Sequence, residues 1–513
     1  MLGKSLIILG GFSLALTGCT KLNEKFGGSL TADQVSSTAG GGNVDALLKG
    51  VYNSIQGTFQ GQEGIYALWE MTTDELIGPT RGGDWDDNGA WRVLHTHKFD
   101  GDHIRIKEVW NNLNGVVYAA TDLLQFNPSP TQAAQARLLR AMAQYYILDG
   151  YGQVPYREPG ENTLIAPKVR KGTEALTFII SEINAVMDAL PDGPATKANK
   201  DAAKVLLMKC YLNKGVYANR AAPTFDGGDM TQVITLADQI INSGKYGYSA
   251  NYFDNFSPNN GSIGKENIWT QENIGGVQSG NIRSRWHSGM HYNQQPSGWN
   301  GFTTLSDLYN KFEASDIRRG TAYPTNVAAY PNSGNRINVG FLVGQQYDMR
   351  NDAALKDRTG APLIFTPTVN IIEKGTNLEV TGIRAFKYPI DFQFDNNGSV
   401  DNDYVYFRYA DVLLMKAEAQ LRSNNSAGAL LIVNNLRLNR GASLLTSLTL
   451  DNLLDERARE LYLESWRRQD LIRFGKFLTP WQEKPTDDPK YLLFPIPNGQ
   501  LAANPNLKQN PGY

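Results

Sequence analysis

The chain has 513 residues, 41% of them hydrophobic, with 49 basic against 51 acidic side chains and a formal net charge of -2. That balance excludes a basic field for nucleic acid, and the length supplies a sizeable core in one large domain or two to three ordinary ones. The two cysteines, Cys19 and Cys210, leave no internal pair for a disulfide, so the fold rests on its core.

The first element is a leader. Lys4 precedes a short apolar run over 6–16, which ends in Leu16-Thr17-Gly18-Cys19. A spanning helix needs about 20 apolar residues and this run is shorter, so it reads as a secretory signal. A cysteine after Leu-x-Gly is the bacterial lipobox pattern, implying cleavage before Cys19 and acylation of its new amino terminus. The plainer alternative is an ordinary signal with a chance cysteine. Residues 19–42, rich in Gly, Ser and Thr and ending Gly40-Gly41-Gly42, read as a lipidated residue and a flexible tether.

Helical periods follow. Residues 103–126 place Val109, Leu113, Val116, Val117, Ala120 and Leu124 one turn apart, and 131–149 do the same with Ala134, Leu138, Met142, Tyr145 and Tyr146. Thr131 is the expected cap behind Pro130. Segments 172–190 and 199–217 give two more helices, the second burying Cys210 as a small hydrophobe. A fifth, over 230–243, stops at Gly244. From 245 to 402 Gly, Asn, Pro and aromatics interrupt every period except a short helix at 306–314. So long an irregular stretch in a folded chain reads as a functional surface. Helices return over 403–422, 426–438, 450–465 and 466–476. Paired helices with Ala at close contacts suggest a tetratricopeptide-like scaffold, with a generic helical bundle as the alternative. The tail over 481–513 alternates Pro and Asn and reads as a strap without regular structure.

Among chemical motifs, no nucleophile elbow, HExxH, Walker loop or dinucleotide fingerprint occurs at a sensible position. His95 and His97, with His103 near, could share a strand face, but a zinc site needs further ligands. His287 and His291 stand four apart around Gly289, which argues against one helix face. The oxygen-rich run Asp395-Asn396-Asn397-Gly398 with Asp401-Asn402-Asp403 could hold calcium, although a turn and a helix cap explain it more simply. Residues 72–91 form a loop carrying Asp74, Arg81, Trp85, Asn88 and Trp91. Carboxylate, guanidinium and amide groups hydrogen-bond sugar diols while an indole stacks on the ring. Equally, both Trp could pin the loop to the core. The charge-dense runs 456–461 and 466–473 read as intramolecular ion pairs along packed helices. The 24 Tyr and 9 Trp suit sugars and peptides as well as ordinary cores.

These pieces resemble one family. The carriers are the lipobox at Cys19, Arg137-Leu138-Leu139-Arg140-Ala141-Met142-Ala143-Gln144-Tyr145-Tyr146 with Tyr151-Gly152-Gln153-Val154-Pro155, and Phe407-Arg408-Tyr409-Ala410-Asp411-Val412-Leu413-Leu414-Met415-Lys416-Ala417-Glu418-Ala419. Glu456-Arg457-Ala458-Arg459-Glu460-Leu461, Trp466-Arg467-Arg468-Gln469-Asp470-Leu471-Ile472-Arg473-Phe474-Gly475 and the ending Phe494-Pro495-Ile496-Pro497 … Asn510-Pro511-Gly512-Tyr513 continue it. Over nearly its whole length the chain resembles the RagB/SusD family of outer-membrane nutrient-binding lipoproteins. The resemblance implies a mostly α fold: tetratricopeptide-like helix pairs over about 43–244 and 403–480, a loop-rich ligand-binding region over 245–402 and the strap, all in one domain over 43–513. It implies binding of a glycan, or in some members a peptide, without catalysis. No cofactor is implied. It also implies delivery to a TonB-dependent SusC-like transporter, and lipid anchoring at the outer membrane facing outward. Only Glu24 is acidic just behind Cys19, fewer than surface-displayed members often carry.

By the same resemblance, ligand-binding residues fall on Asp74, Arg81, Trp85, Asn88 and Trp91 in the first loop and on Trp286, Tyr292 and Trp299 in the irregular middle. The alternatives are a structural lid with little affinity for soluble ligand, and an exported glycosidase using Asp74 and Asp86.

Overall fold

The computed structural model describes residues 42–513 apart from Asn326 and Asn332, so the signal, Cys19 and the tether up to residue 41 lie outside the described residues. Two helices, Gly42–Gln60 and Ile65–Glu70, precede those marked by the periodicity. Ile104–Leu123 buries Val109, Leu113, Val116, Val117 and Ala120, the apolar stripe expected of it. Pro130–Tyr151 starts one residue earlier than the cap assigned from sequence. Ser129, not Thr131, accepts from the Gln132 N–H while the Gln132 side chain returns to Ser129. Pro130 has no N–H to satisfy and its fixed φ suits the first helical position, so the cap moves upstream of it. Gly152, at φ +73°, closes the helix.

Helix packs on helix in succession. Gly42–Gln60 lies against Ile104–Leu123, which lies against Pro130–Tyr151, which lies against Gly172–Val186. Lys200–Leu212 pairs with Gly227–Asn242, which packs on Tyr409–Arg422, itself paired with Ser426–Asn439. The scaffold is thus made of successive helix pairs, interrupted by the chain between Asn242 and Tyr404 and then resumed. Cys210 is fully buried in the Lys200–Leu212 helix, where burial pushes its thiol up.

Several boundaries differ from the sequence expectation for physical reasons. The segment 403–422 is not one helix. Tyr404–Arg408 is a strand, paired antiparallel with Asn267–Gln271, and only then does Tyr409–Arg422 begin. Its alternation of Tyr, Val, Tyr and Phe is buried on both faces, which a strand between layers satisfies. The segment 199–217 breaks at Asn213 into Lys200–Leu212 and Lys214–Ala218. The segment 450–465 stops at Leu461 because Leu463 and Ser465 take φ of +58° and +65°. The expected 306–314 helix is a single turn, Ser306–Tyr309, and the tail contains a short helix, Asn498–Ala503. The strap is otherwise bound by contacts. Phe494 is fully buried beside Trp69 and Tyr151, its N–H donates to the Gly150 carbonyl at 2.8 Å, and the Asn510 amide bonds the Tyr151 and Phe494 carbonyls.

The charge-dense runs form internal ion pairs along their own helices, Glu456 with Arg459 and Asp470 with Arg473, and also across elements. Glu460 meets Arg408 at 2.6 Å and Arg318 and Arg440 at 2.9 Å, all out of solvent. Glu266 bridges Arg408 and Arg440, and Glu464 pairs with Arg408 and Lys387. Burial opposes ionisation of Glu460, yet the three guanidinium groups hold its carboxyl well below the usual range. Among the described residues no helix is long and apolar enough to cross a membrane.

Candidate functional site

The loop after Ile65–Glu70 and the loop around Trp299 meet at the surface, although they are more than 200 residues apart in sequence. Arg81 makes the junction. Its Nε and Nη2 donate to the Gly301 carbonyl at 3.3 and 3.2 Å, and its Nη1 donates to the Leu378 and Thr381 carbonyls and pairs with Glu373 at 3.2 Å. Three chain segments are therefore fixed by one guanidinium. Arg81 is buried in this role and is not a free polar group for a ligand.

Three of the five expected aromatic platforms share the surface so built. Trp85 is half-buried. Its Nε1 donates to the Trp299 carbonyl at 3.0 Å and its ring rests on Gly301 and edge-on to Phe302, with centroids 5.1 Å apart. Trp299 is 40% exposed and stacks on His287 at 5.5 Å. His287 is held by Asp395 Oδ1 and the Ser297 carbonyl, both at 2.8 Å. The Tyr292 hydroxyl donates to Asp84 Oδ2 at 2.7 Å, and the Arg358 guanidinium covers one ring face at 4.0 Å. Burial and the Asp84 carboxylate push the Tyr292 hydroxyl up to about 12. The polar edges of Trp85 and Tyr292 are thus engaged by protein and Trp299 is seated on His287, which fixes ring orientation at low conformational entropy.

Two platforms are withdrawn. Trp91 is buried, its Nε1 held by Asp87, its ring against Phe302 and under Arg105. Trp286 is also buried, with Nε1 donating to Asp395 at 3.0 Å. Neither ring has a face to offer a ligand; they pin the short helices Ala90–His95 and Ser284–Gly289 to the core. Asp74 is withdrawn as well. Its two oxygens accept from Arg467 Nε and Nη2 at 2.7 and 2.6 Å, and although burial works against it, Arg467 holds the carboxyl below its usual range. Asp74 is thus committed to Arg467, and Asp86 pairs with Arg92 at 3.0 Å. Asn88 remains exposed in the turn Asp87–Gly89, at φ +56°.

The sequence missed the polar groups that complete the patch. Glu379 accepts from His291 Nε2 at 2.9 Å and pairs with Arg358. His291 Nδ1 accepts from the Asn293 N–H, so its proton sits on Nε2, and burial lowers its basicity. Asp84, Arg358 and Glu379 carry no local motif; only the fold brings them to Tyr292.

The metal candidates disperse. His95 ends the helix Ala90–His95, not a strand, between the Leu76 and Gln482 carbonyls; His97 bonds Asp487; His103 caps Ile104–Leu123. Of the oxygen-rich run, Asp395 serves Trp286 and His287, Asp401 serves the Gly275 N–H and Asp403 serves the Asn273 N–H. Those carboxylates point at three separate sets of protein donors. No group of three or more His, Cys, Asp or Glu among the described residues could hold a metal ion.

Comparison with known proteins agrees with this architecture. Residues 265–513 match the sequence profile of the SusD family. The starch-binding protein SusD of Bacteroides thetaiotaomicron is 26% identical, the match covering 91% of this chain and 89% of that protein. The SusD-like protein P25 of Formosa agariphila is 24% identical over 92% of each. Among solved structures, a SusD superfamily protein from Parabacteroides distasonis superposes with TM-score 0.71 at 19% identity, over 94% of this chain and all of that one. The surface glycan-binding protein A of Bacteroides thetaiotaomicron, solved with laminarihexaose, superposes with TM-score 0.65 at 16% identity, over 91% and 99%. Over residues 265–513 the chain matches the SusD family, and over nearly its whole length it is similar in sequence and in fold to SusD-like proteins.

Proposed function

We propose that this protein is a lipid-anchored outer-membrane receptor that captures an extracellular glycan on the Trp85–Tyr292–Trp299 patch and passes it to a SusC-like TonB-dependent transporter, without chemistry of its own. The observation that carries the reading is the patch itself. Three aromatic side chains from two distant segments are held at the surface, Trp85 and Tyr292 with their polar edges bonded to protein and Trp299 by its stack on His287. Flat, pre-oriented rings flanked by Asp84, Arg358 and Glu379 match the alternation of apolar faces and hydroxyl edges on a sugar chain. Relatives described as starch-binding, as laminarin-binding and as complexed with laminarihexaose support the ligand class. The lipobox at Cys19 supports lipid anchoring, and the family supports outward display and the transporter.

The test is calorimetry of the purified protein against maltohexaose, laminarihexaose and a peptide panel. Each exposed platform is worth about 0.5–1.5 kcal/mol, so replacing Trp85, Tyr292 and Trp299 together by Ala should weaken binding at least about tenfold with the fold retained. Undiminished affinity in that variant would remove the patch from the reading.

A further inference from the structure

A second cleft lies apart from the aromatic patch. It has a volume of ≈ 500 Å³ and is walled by Tyr309, Arg319, Arg336, Phe341, Gln345 and Tyr347. That volume lies in the range of small-molecule sites. Its composition is one-sided: the lining contains two arginines and no Asp or Glu. Arg336 lies over the Tyr347 ring at 3.8 Å and is neutralised by Asp352, which it meets at 2.7 and 3.0 Å. Arg319 differs. It lies over the Tyr309 ring at 4.5 Å and donates to the Tyr309 hydroxyl, and among the described residues no carboxylate pairs with it. In a protein whose other buried or half-buried guanidinium groups are so often matched by acids, this one faces an open, half-apolar cleft.

We infer that this cleft is a second binding site, taking a carboxylate-bearing saccharide whose acid group pairs with Arg319 while its ring rests among Tyr309, Phe341 and Tyr347. A guanidinium presents a fork that fits a carboxylate with two parallel hydrogen bonds. The aromatic walls supply the apolar contact that a bare ion would not need, which favours an acidic sugar over a simple anion. The charge environment separates the two sites. The first patch carries Asp84, Asp86, Asp87 and Glu379 against Arg92 and Arg358, and so disfavours an anion; the second carries none of these acids. Gln294 of the Trp299 loop reaches the wall of the second cleft, its amide donating to Gln346 at 3.4 Å.

The experiment is calorimetric titration of the purified protein with trigalacturonate and with neutral maltotriose. Trigalacturonate should bind, weakening as salt rises, and Arg319→Gln should reduce its affinity at least about tenfold, the loss expected for one charge-assisted contact. Trp85→Ala should leave trigalacturonate binding unchanged, which separates this site from the glycan patch whatever becomes of that assignment. Ala314→Glu, which sets a carboxylate at an exposed position of the lining, should weaken it too, and decides the matter if Arg319→Gln fails to fold. Absence of trigalacturonate binding, equal affinity in both variants, or loss of binding in Trp85→Ala would each overturn the inference.

Discussion

Gly301 is where the seat of Trp85 can be tested without touching any group that would contact a ligand. A Cβ added there would lie 2.4 Å from Trp85 Cε2 and Cζ2 and 2.6 Å from Cδ2. Carbon atoms rest at about 3.5–4.0 Å, so one partner must give by roughly 1 Å or more. The backbone of Gly301 is poorly placed to yield. Its N–H donates to the Ser288 carbonyl at 2.8 Å and its carbonyl accepts two bonds from the buried Arg81. The half-exposed indole must move instead, lifting from Phe302 and lengthening its 3.0 Å bond to the Trp299 carbonyl. Gly301→Ala should therefore cost about 1–3 kcal/mol of stability, the usual range for overpacking. It should also displace two of the three platforms and weaken glycan binding about fivefold to tenfold. Denaturant unfolding reads the first effect. Calorimetry with whichever hexasaccharide binds the parent reads the second, and acrylamide quenching reports the greater exposure of the indole. Parent-like quenching together with parent-like affinity would refute the reasoning, because it would mean that the ring accommodates the methyl without leaving its seat.

Two further outcomes concern the scaffold. Glu460→Gln strips the shared carboxylate from Arg318, Arg408 and Arg440 and should destabilise the protein by about 3–5 kcal/mol in guanidinium unfolding. Asp451→Asn, at the exposed pair with Lys476, should change stability by about 0.5 kcal/mol or less; a loss under about 1 kcal/mol in Glu460→Gln would contradict the cluster's structural role. The pH dependence has a defined sign at Asp403, where burial, with the Glu272 and Asp401 charges adding, raises the carboxyl to about 7 against the Asn273 and Thr270 hydrogen bonds. Its folded form holds the proton more tightly than the unfolded chain, whose Asp titrates near about 3.9. That contribution is complete below pH ~4 and is lost as the pH rises through about 7, up to about 4 kcal/mol. Glu70, raised to about 7 chiefly by burial, acts in the same direction. Asp403→Asn should flatten the decline in unfolding free energy between pH 4.5 and 7.5, and an unchanged slope would exclude Asp403 as its source.

Much of the scaffold is legible in the sequence, because a helix is a local object. The stripe of Val109, Leu113, Val116 and Ala120 specifies its own period, and the lone Cys210 sits in a run that could only be buried. The failures also have local causes. Pro130 displaces the cap to Ser129, and the Tyr404–Arg408 run alternates like a strand but stands directly before a strong helix. The binding surface is another matter. Trp85 and Trp91 stand six residues apart and have equal apolar area, yet one lies half-open over Gly301 and the other is buried against Phe302 in the helix Ala90–His95. Arg81 and Arg358 have the same side chain, yet one clamps three segments inside the protein and the other covers Tyr292 at its surface. The sequence alone carried the period of most helices, the lipobox pattern at Cys19 and the motifs of the family, since each rests on the spacing of neighbouring residues. Only the tertiary structure decided which rings face solvent and which charges are already spoken for, because exposure and ion pairing depend on residues hundreds of positions away that the sequence does not place.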